Sequence, residues 1–541
     1  MFLKLLGCMI SLAVCVDGYI GTPTSVDTPA GQILGLSRDN YTAFLGVPYG
    51  LVDETNPFGN ARPHPYFNIP REAFDDSSIC PQYDRWTGQA KGTIQCLHLN
   101  VYTPNPMHTW SALPVMVFIH GGAFVEGDGA LGTYFPRYLL RHGVIVVTIN
   151  YRLGPYGNLC VPHTEYSNQA LKDQSLAFRW VKRNIGSFGG DTDNILLMGH
   201  SAGSMSAHFH LLFNRDILYN KVILQSGVAV SPLCNQATDI ATFVKDVGQD
   251  AEIIDIDRFI QTISAIDTNS IINITKFYDF QVCIDGEFIS KSPKQRNLQN
   301  IKLMIGGTMK EMLFYYPRAD NDNSGFVTEL NRGFSVTKMA DSTNAIDEIK
   351  YFYLNHSTLN MVDYASDIAF NYPTERTVRY YVQNKCTVYR YLFSYDGGRN
   401  FVKVRDNITA AGATHGDELG YLFDMPLLKT TPADQVIIDR MSMLWTNFAK
   451  YGDPTPTTSD LLPVKWTPVT AGANTYLRID TNPGLDSGLF KKRMDFWDGY
   501  YARYGMFAKG ITLGDKYTNN RAFNVDLTQL LLLISFLLLW Q

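Results

Sequence analysis

Residues 194–213 read NILLMGHSAGSMSAHFHLLF. A β-rich apolar run, Ile195 to Met198, meets Gly199, and a helical pattern leaves Gly203. Strand, sharp turn and helix make the nucleophile elbow, in which small flanking residues tolerate a strained turn that pushes the hydroxyl of Ser201 into the open. The Gly-x-Ser-x-Gly pattern alone carries little. Three common residues at fixed spacing recur by chance about 0.2 times in a chain of this size. A structural turn is the alternative, and partners elsewhere must decide.

Outward from this stretch, other apolar runs share its character, among them PVMVFIHGG (114–122), GVIVVTINY (143–151) and KVILQSG (221–227). Continuous Val, Ile and Leu point to strands buried on both faces, as in a parallel sheet covered by helices. Between them, Leu176, Ala177, Trp180, Val181 and Ile185 form an apolar helical stripe opposite Lys182, Arg183 and Asn184, which is packing rather than a cofactor box. A late segment, 434–456, places Ile437, Ile438, Met441, Leu444, Trp445 and Phe448 on one helical face and stops at Gly452 and Pro454. Residues 235–300 and 315–385 are less regular and read as insertions over the sheet. The fold class is α/β: a large central, mostly parallel sheet with helices on both faces and long insertions.

The chain has 541 residues, 45% hydrophobic and 18% charged, which fits one large globular domain and excludes disorder. Its net charge of −5, without a Lys/Arg block, gives no footprint for nucleic acid.

Residues 1–18 combine Lys4, an apolar run from Leu5 to Val16 and small residues near Gly18, as a secretory signal does; a buried strand is the alternative. Cleavage there leaves Cys80, Cys96, Cys160, Cys234, Cys283 and Cys386. An even number in an oxidising compartment permits disulfides. Cys80 with Cys96 closes the shortest loop, and the pairing of the other four stays open. Sequons at Asn40, Asn273, Asn355 and Asn407 fit secretion and glycosylation.

After the main domain, 19–508, come a polar spacer (509–526) and an apolar tail (527–541). The uncharged run Leu530 to Trp540 is 11 residues long, against the roughly 20 that span a bilayer. A tail after a spacer is the pattern of a glycosylphosphatidylinositol signal, attached between Gly514 and Asn520. A short tail anchor and a terminal helix docked on the core are the alternatives. The expected location is the secretory pathway and the outer cell surface, with the oligomeric state open.

A serine hydroxyl needs a base to take its proton and donors aimed at the developing oxyanion. HGGAF (120–124) follows a strand and lacks large side chains at Gly121, Gly122 and Ala123, which suits backbone N–H groups that must approach a ligand. Gly122 and Ala123 are the expected donors there, joined by Ala202 at the start of the elbow helix. The order Ser, acid, His puts both partners downstream. The histidines there are His208, His210, His356 and His415. The first two ride the elbow helix too close to fold back, and His356 lies inside a sequon. His415, flanked by Gly412 and Gly416, is left. Several carboxylates lie between, and spacing does not choose among them. Glu311 is best placed, just past a strand that ends at Gly306 and Gly307; a solvated surface role is its alternative.

With these residues assembled, the chain resembles the carboxylesterase/cholinesterase family over about residues 20–505. AFLGVPYG, CLHLNVYTP, HGGAF, YRLGPYGNL, GHSAGS, LQSG, GATHGDELGYLF and WTNFAKYGDPTP occur in order, and KKRMDFW is most similar to insect-type esterases. The resemblance implies an α/β-hydrolase fold, Ser201 as nucleophile, Gly122, Ala123 and Ala202 as oxyanion donors, His415 as base and Glu311 as acid. It implies ester hydrolysis through an acyl-enzyme, without metal or organic cofactor. The chain departs from the pattern at His200, commonly Glu, at Ile94-Gln95 before Cys96, and at Lys310 and Met312 around Glu311. Trp86 lies in a short loop where cholinesterases carry a cation-binding tryptophan, and core packing is its expected role here. Adhesion members of the family and choline-ester hydrolysis are the rival functions. An imidazole base is lost on protonation, so activity is expected to fall below about pH 6.

Overall fold

The structure is a computed structural model. It describes residues 14–16 and 19–513, apart from 106–111, 162, 215, 217, 235–239, 248–254, 291, 294–297, 299, 318–323, 340–341 and 356–357. A 14-stranded sheet runs through it. In chain order the strands are β1 (Val14–Val16), β2 (Tyr19–Thr28), β3 (Gly31–Ser37), β4 (Tyr41–Pro48), β5 (Phe67–Glu72), β6 (His98–Pro104) and β7 (Leu113–Ile119). There follow β8 (Ile145–Ile149), β9 (Gly190–His200), β10 (Lys221–Gln225), β11 (Lys302–Thr308), β12 (Thr387–Phe393), β13 (Thr475–Ile479) and β14 (Gly484–Ser487).

The spatial order is β1-β2-β3-β4-β6-β8-β7-β9-β10-β11-β12-β13-β14, with β5 beside β3. From β8 to β13 every neighbour is parallel, and antiparallel strands close both ends. The order reverses at β7, which has β8 on one side and β9 on the other. Such a switch point opens a crevice at the carboxyl ends of the strands.

The apolar runs become central strands because both of their faces are covered. Every residue of β8 and β10 is buried. Alternate side chains point to opposite faces. Val115, Val117, Ile119, Val147 and Leu197 enter one core with α1 (Gln169–Asn184) and α2 (Ala202–Phe213). Met116, Phe118, Val146, Leu196 and Met198 enter the other with α3 (Pro432–Tyr451). The late helix keeps its expected apolar face and ends before Gly452; at its start Thr431 and Asp434 cap each other.

Buried Arg152, just past β8, meets Asp173 of α1 at 2.7 Å and donates to the carbonyls of Pro57 and Gly59. The two irregular stretches supply helices rather than strands of the main sheet. Disulfides join Cys80 to Cys96, as expected, and Cys160 to Cys283, while Cys234 and Cys386 are buried thiols. Edge strand β1 falls inside the expected leader, whose other residues lie outside the described chain, as do the tail and its attachment region. Among the described residues, no helix is long and apolar enough to cross a membrane.

Candidate active site

The parallel register brings β7, β9 and β10 to one edge, pairing Ile119 with Gly199 and His200 with Gln225. Ser201 follows in a turn with φ 56° and ψ −124°, and α2 starts at Ala202. Such a conformation costs a non-glycine residue about 1–3 kcal/mol and persists where its surroundings over-determine it. Here the N–H of Ser201 donates to the carbonyl of Gln225 at 2.9 Å, and its own carbonyl accepts from Met205. The flanking glycines are sterically required: a Cβ on Gly199 would stand 2.3 Å from the carbonyl carbon of Gly203, and one on Gly203 2.1 Å from the Ile119 oxygen.

The His120–Phe124 loop leaves β7 against this elbow, since a Cβ on Gly121 would lie 3.0 Å from that of Ser201. Gly122, Ala123 and Phe124 all take positive φ. The turn is braced by Val125 and Glu126 N–H groups on the Gly122 carbonyl, and by the Gly154 N–H on that of Phe124. The hydroxyl of Tyr151 donates to the His120 carbonyl at 2.8 Å.

Glu311 lies in the short turn after β11 and is buried. Its Oε1 accepts from the Thr308 N–H at 2.6 Å and the Ser226 hydroxyl at 2.7 Å. Its Oε2 lies 2.8 Å from Nδ1 of His415. A carboxylate on Nδ1 favours the tautomer with the proton there, leaving the Nε2 lone pair to accept one. The backbone N–H of His415 donates to the Glu311 carbonyl, and Asp417 accepts from Thr414, Lys403 and Asn400, holding the loop around His415. Burial pushes the Asp417 carboxyl up to about 7. Burial together with the nearby Glu311 charge pushes Glu418 up to about 8.

Ala123, Ser201, Ala202 and His415 line one cleft of about 460 Å³. Its walls include Phe124, Met205, Leu233, Phe280, Phe314 and Phe370. Arg85 donates to the Glu126 carboxylate beside it. The elements therefore gather the expected serine, histidine and Ala donors around one cavity, with Gly122 in its bounding loop and Glu311 behind the histidine.

The other downstream histidines have different partners. His208 meets Tyr381 and accepts from the Ala229 N–H, and His210 meets Gln174. Burial pushes both down to about 3. His356 lies outside the described residues. Trp86 differs from its expected core packing: it is 75% exposed. The Cys80–Cys96 loop folds as a hairpin of Gln82–Asp84 on Gln89–Lys91, and the Asp84 carboxylate accepts the N–H groups of Trp86 and Thr87, fixing Trp86 in the turn at its tip. Asn40, Asn273 and Asn407 are exposed, and Asn355 ends the two-residue strand Leu354–Asn355.

Sequence reasoning passed over Ser226, whose only signal was its place in LQSG, and Asp417, two residues beyond His415. Ser226 meets Glu311 across two adjacent strand ends, and Asp417 gathers Asn400, Lys403 and Thr414 within its own segment.

A family model described as the carboxylesterase family matches residues 22–497. The bile salt-activated lipase of Homo sapiens is 30% identical over 509 residues, 86% of this chain and 66% of that protein. Its Rattus norvegicus counterpart is 30% identical over 91% of this chain and 87% of its own length. Carboxylesterase 5A of Mus musculus is 29% identical over 84% of each.

Proposed function

The chain belongs to the carboxylesterase family and is a carboxylic-ester hydrolase, and we propose that it works as a serine esterase through an acyl-enzyme formed on Ser201. The observation that carries this reading is the 2.8 Å contact between Glu311 and Nδ1 of His415, on a histidine that shares its cleft with the elbow serine.

In this reading, His415 takes the Ser201 proton on Nε2 as the hydroxyl oxygen attacks the ester carbonyl. The N–H groups of Gly122, Ala123 and Ala202 receive the oxyanion. Collapse of the tetrahedral intermediate breaks the bond to the alcohol, which leaves with the proton from His415. Water then attacks the acyl-enzyme by the same route, with His415 again as base, and releases the acid and free Ser201. Glu311 holds the ring in its tautomer and stabilises the imidazolium. No metal or organic cofactor enters any step. The cleft sets aromatic and aliphatic side chains beside the charged Arg85, Glu126, Lys276, Asp279 and Arg332, and similarity to a lipase and a carboxylesterase supports an ester substrate.

Two disulfides support passage through an oxidising compartment. Together with the leader, the sequons and the apolar tail, they lead us to propose a secreted glycoprotein held at the cell surface by a lipid anchor.

The test is hydrolysis of p-nitrophenyl butyrate by the full chain and by Ser201→Ala. Turnover that disappears in the variant is expected. No turnover by folded wild type on short, long and choline esters would overturn the esterase reading in favour of an adhesion role. For the anchor, release from cells by a phosphatidylinositol-specific phospholipase is expected; protein found only in untreated medium would contradict it.

A further inference from the structure

His200, immediately before the elbow serine, takes no part in the reaction proposed above, yet it touches the proposed base. Its ring centroid lies 4.6 Å from that of His415, with the planes at 43°. Phe370, at 4.8 Å, and Phe314, at 5.6 Å, face the same imidazole. Gly416 is packed beside His200, since a Cβ there would stand 3.2 Å from Cε1 of that ring. His200 is buried at 6% exposure, and its Nε2 has no hydrogen-bond partner among the described residues.

That orphaned nitrogen favours an uncharged ring. A protonated ring would carry an N–H at Nε2 with nothing to receive it, in a buried site where the charges of Arg405 and a protonated His415 both oppose it. The uncharged ring with its proton on Nδ1 leaves only a lone pair at Nε2.

Resting on the esterase reading, we propose that His200 is a positioning residue: it walls His415 with an uncharged ring and so places no second carboxylate against the imidazole opposite Glu311. The groups around the pair agree. Glu311 holds Nδ1; Asp417 and Glu418 share the loop of His415 but are pushed up to about 7 and 8, so they are mainly protonated on the acid limb of the rate profile; Arg405 is cationic. A carboxylate in place of His200 would give the imidazolium a second anion and hold its proton to higher pH. An uncharged wall keeps the base competent in milder acid.

The experiment measures kcat/KM for p-nitrophenyl butyrate from pH 4.5 to 9 with the full chain, His200→Glu and His200→Gln, with Ser201→Ala as background. His200→Glu is expected to move the midpoint of the acid limb up by about one pH unit or more. His200→Gln, neutral but without the ring, is expected to keep the midpoint within about 0.3 pH unit while lowering kcat rather than raising KM. A His200→Glu variant that is folded and keeps the wild-type midpoint would overturn the proposal. Should His200→Glu not fold, His200→Gln decides alone: an unmoved midpoint supports an uncharged native ring, and a midpoint moved by a unit refutes it. Wild-type turnover that survives Ser201→Ala would instead sink the esterase reading, which separates the two failures.

Discussion

At the scale of single residues, the proposed acid is placed by its neighbours. Ser226 and the Thr308 N–H occupy Oε1 of Glu311, which turns Oε2 toward His415. Removing the hydroxyl with Ser226→Ala leaves the carboxylate freer to swing. A lost hydrogen bond to a charged group is worth about 1.5–3 kcal/mol, so kcat/KM is expected to fall by about tenfold to a hundredfold, with the melting temperature changed by only a few degrees. Steady-state kinetics beside thermal unfolding check this, and an unaltered kcat/KM would deny Ser226 the role. The strand-turn-helix around Ser201 was legible in the sequence because such a turn demands small residues at fixed positions. Ser226 was not, and His200 stood out only as a departure from the family pattern, since each touches a residue far along the chain and nothing in a one-dimensional pattern records that meeting.

The central strands were legible for the same kind of local reason: two covered faces leave an unbroken apolar run, as in β7, β8 and β10. The hairpin carrying Trp86 escapes such reading because a large aromatic ring is usually packed, while the Asp84 carboxylate that fixes this turn exerts its effect through backbone N–H groups. Between elements, the clearest energetic test is the Arg152–Asp173 pair, both side chains fully buried. Asp173→Ala would leave the guanidinium uncompensated inside the protein, at a cost of about 3–5 kcal/mol. Urea unfolding of the variant measures it, and a loss below about 1 kcal/mol would mean that water reaches Arg152. The double variant Arg152→Met, Asp173→Leu is expected to recover part of the loss, because neither buried charge remains while the carbonyls of Pro57 and Gly59 lose their donor.

Across the whole molecule, buried titratable groups set how stability follows pH. Burial lowers His208 and His210 to about 3, and His98 and His142 to about 4. Between those values and about 6.5 the unfolded chain binds more protons, so stability falls as pH drops. Burial raises Asp367 to about 6, Asp417 to about 7 and Glu418 to about 8. There the folded chain binds more protons above the unfolded values near 4, so stability falls as pH rises toward 8. With the histidines neutral above about 6.5, only the alkaline loss remains. Glu418→Gln has no proton to give up, and its melting temperature relative to wild type is expected to be higher at pH 8 than at pH 5. An equal difference at both pH values would show that Glu418 titrates as it does unfolded. None of this was readable from a net charge of −5, which counts groups without their surroundings.

The near contact between Gly203 and the Ile119 carbonyl has a consequence for engineering. The turn bearing the hydroxyl and the strand end that leads into the loop proposed to supply the backbone donors meet at that point with no space between them, so they form one joint across two strands. Transplanting the proposed chemistry to another scaffold therefore requires both strand ends in register as a single part; a serine turn grafted by itself would arrive without the proposed anion receptor. Loops that wall the cleft lie outside the joint, and can be lengthened or exchanged to change the accepted ester while the reacting atoms stay where they are.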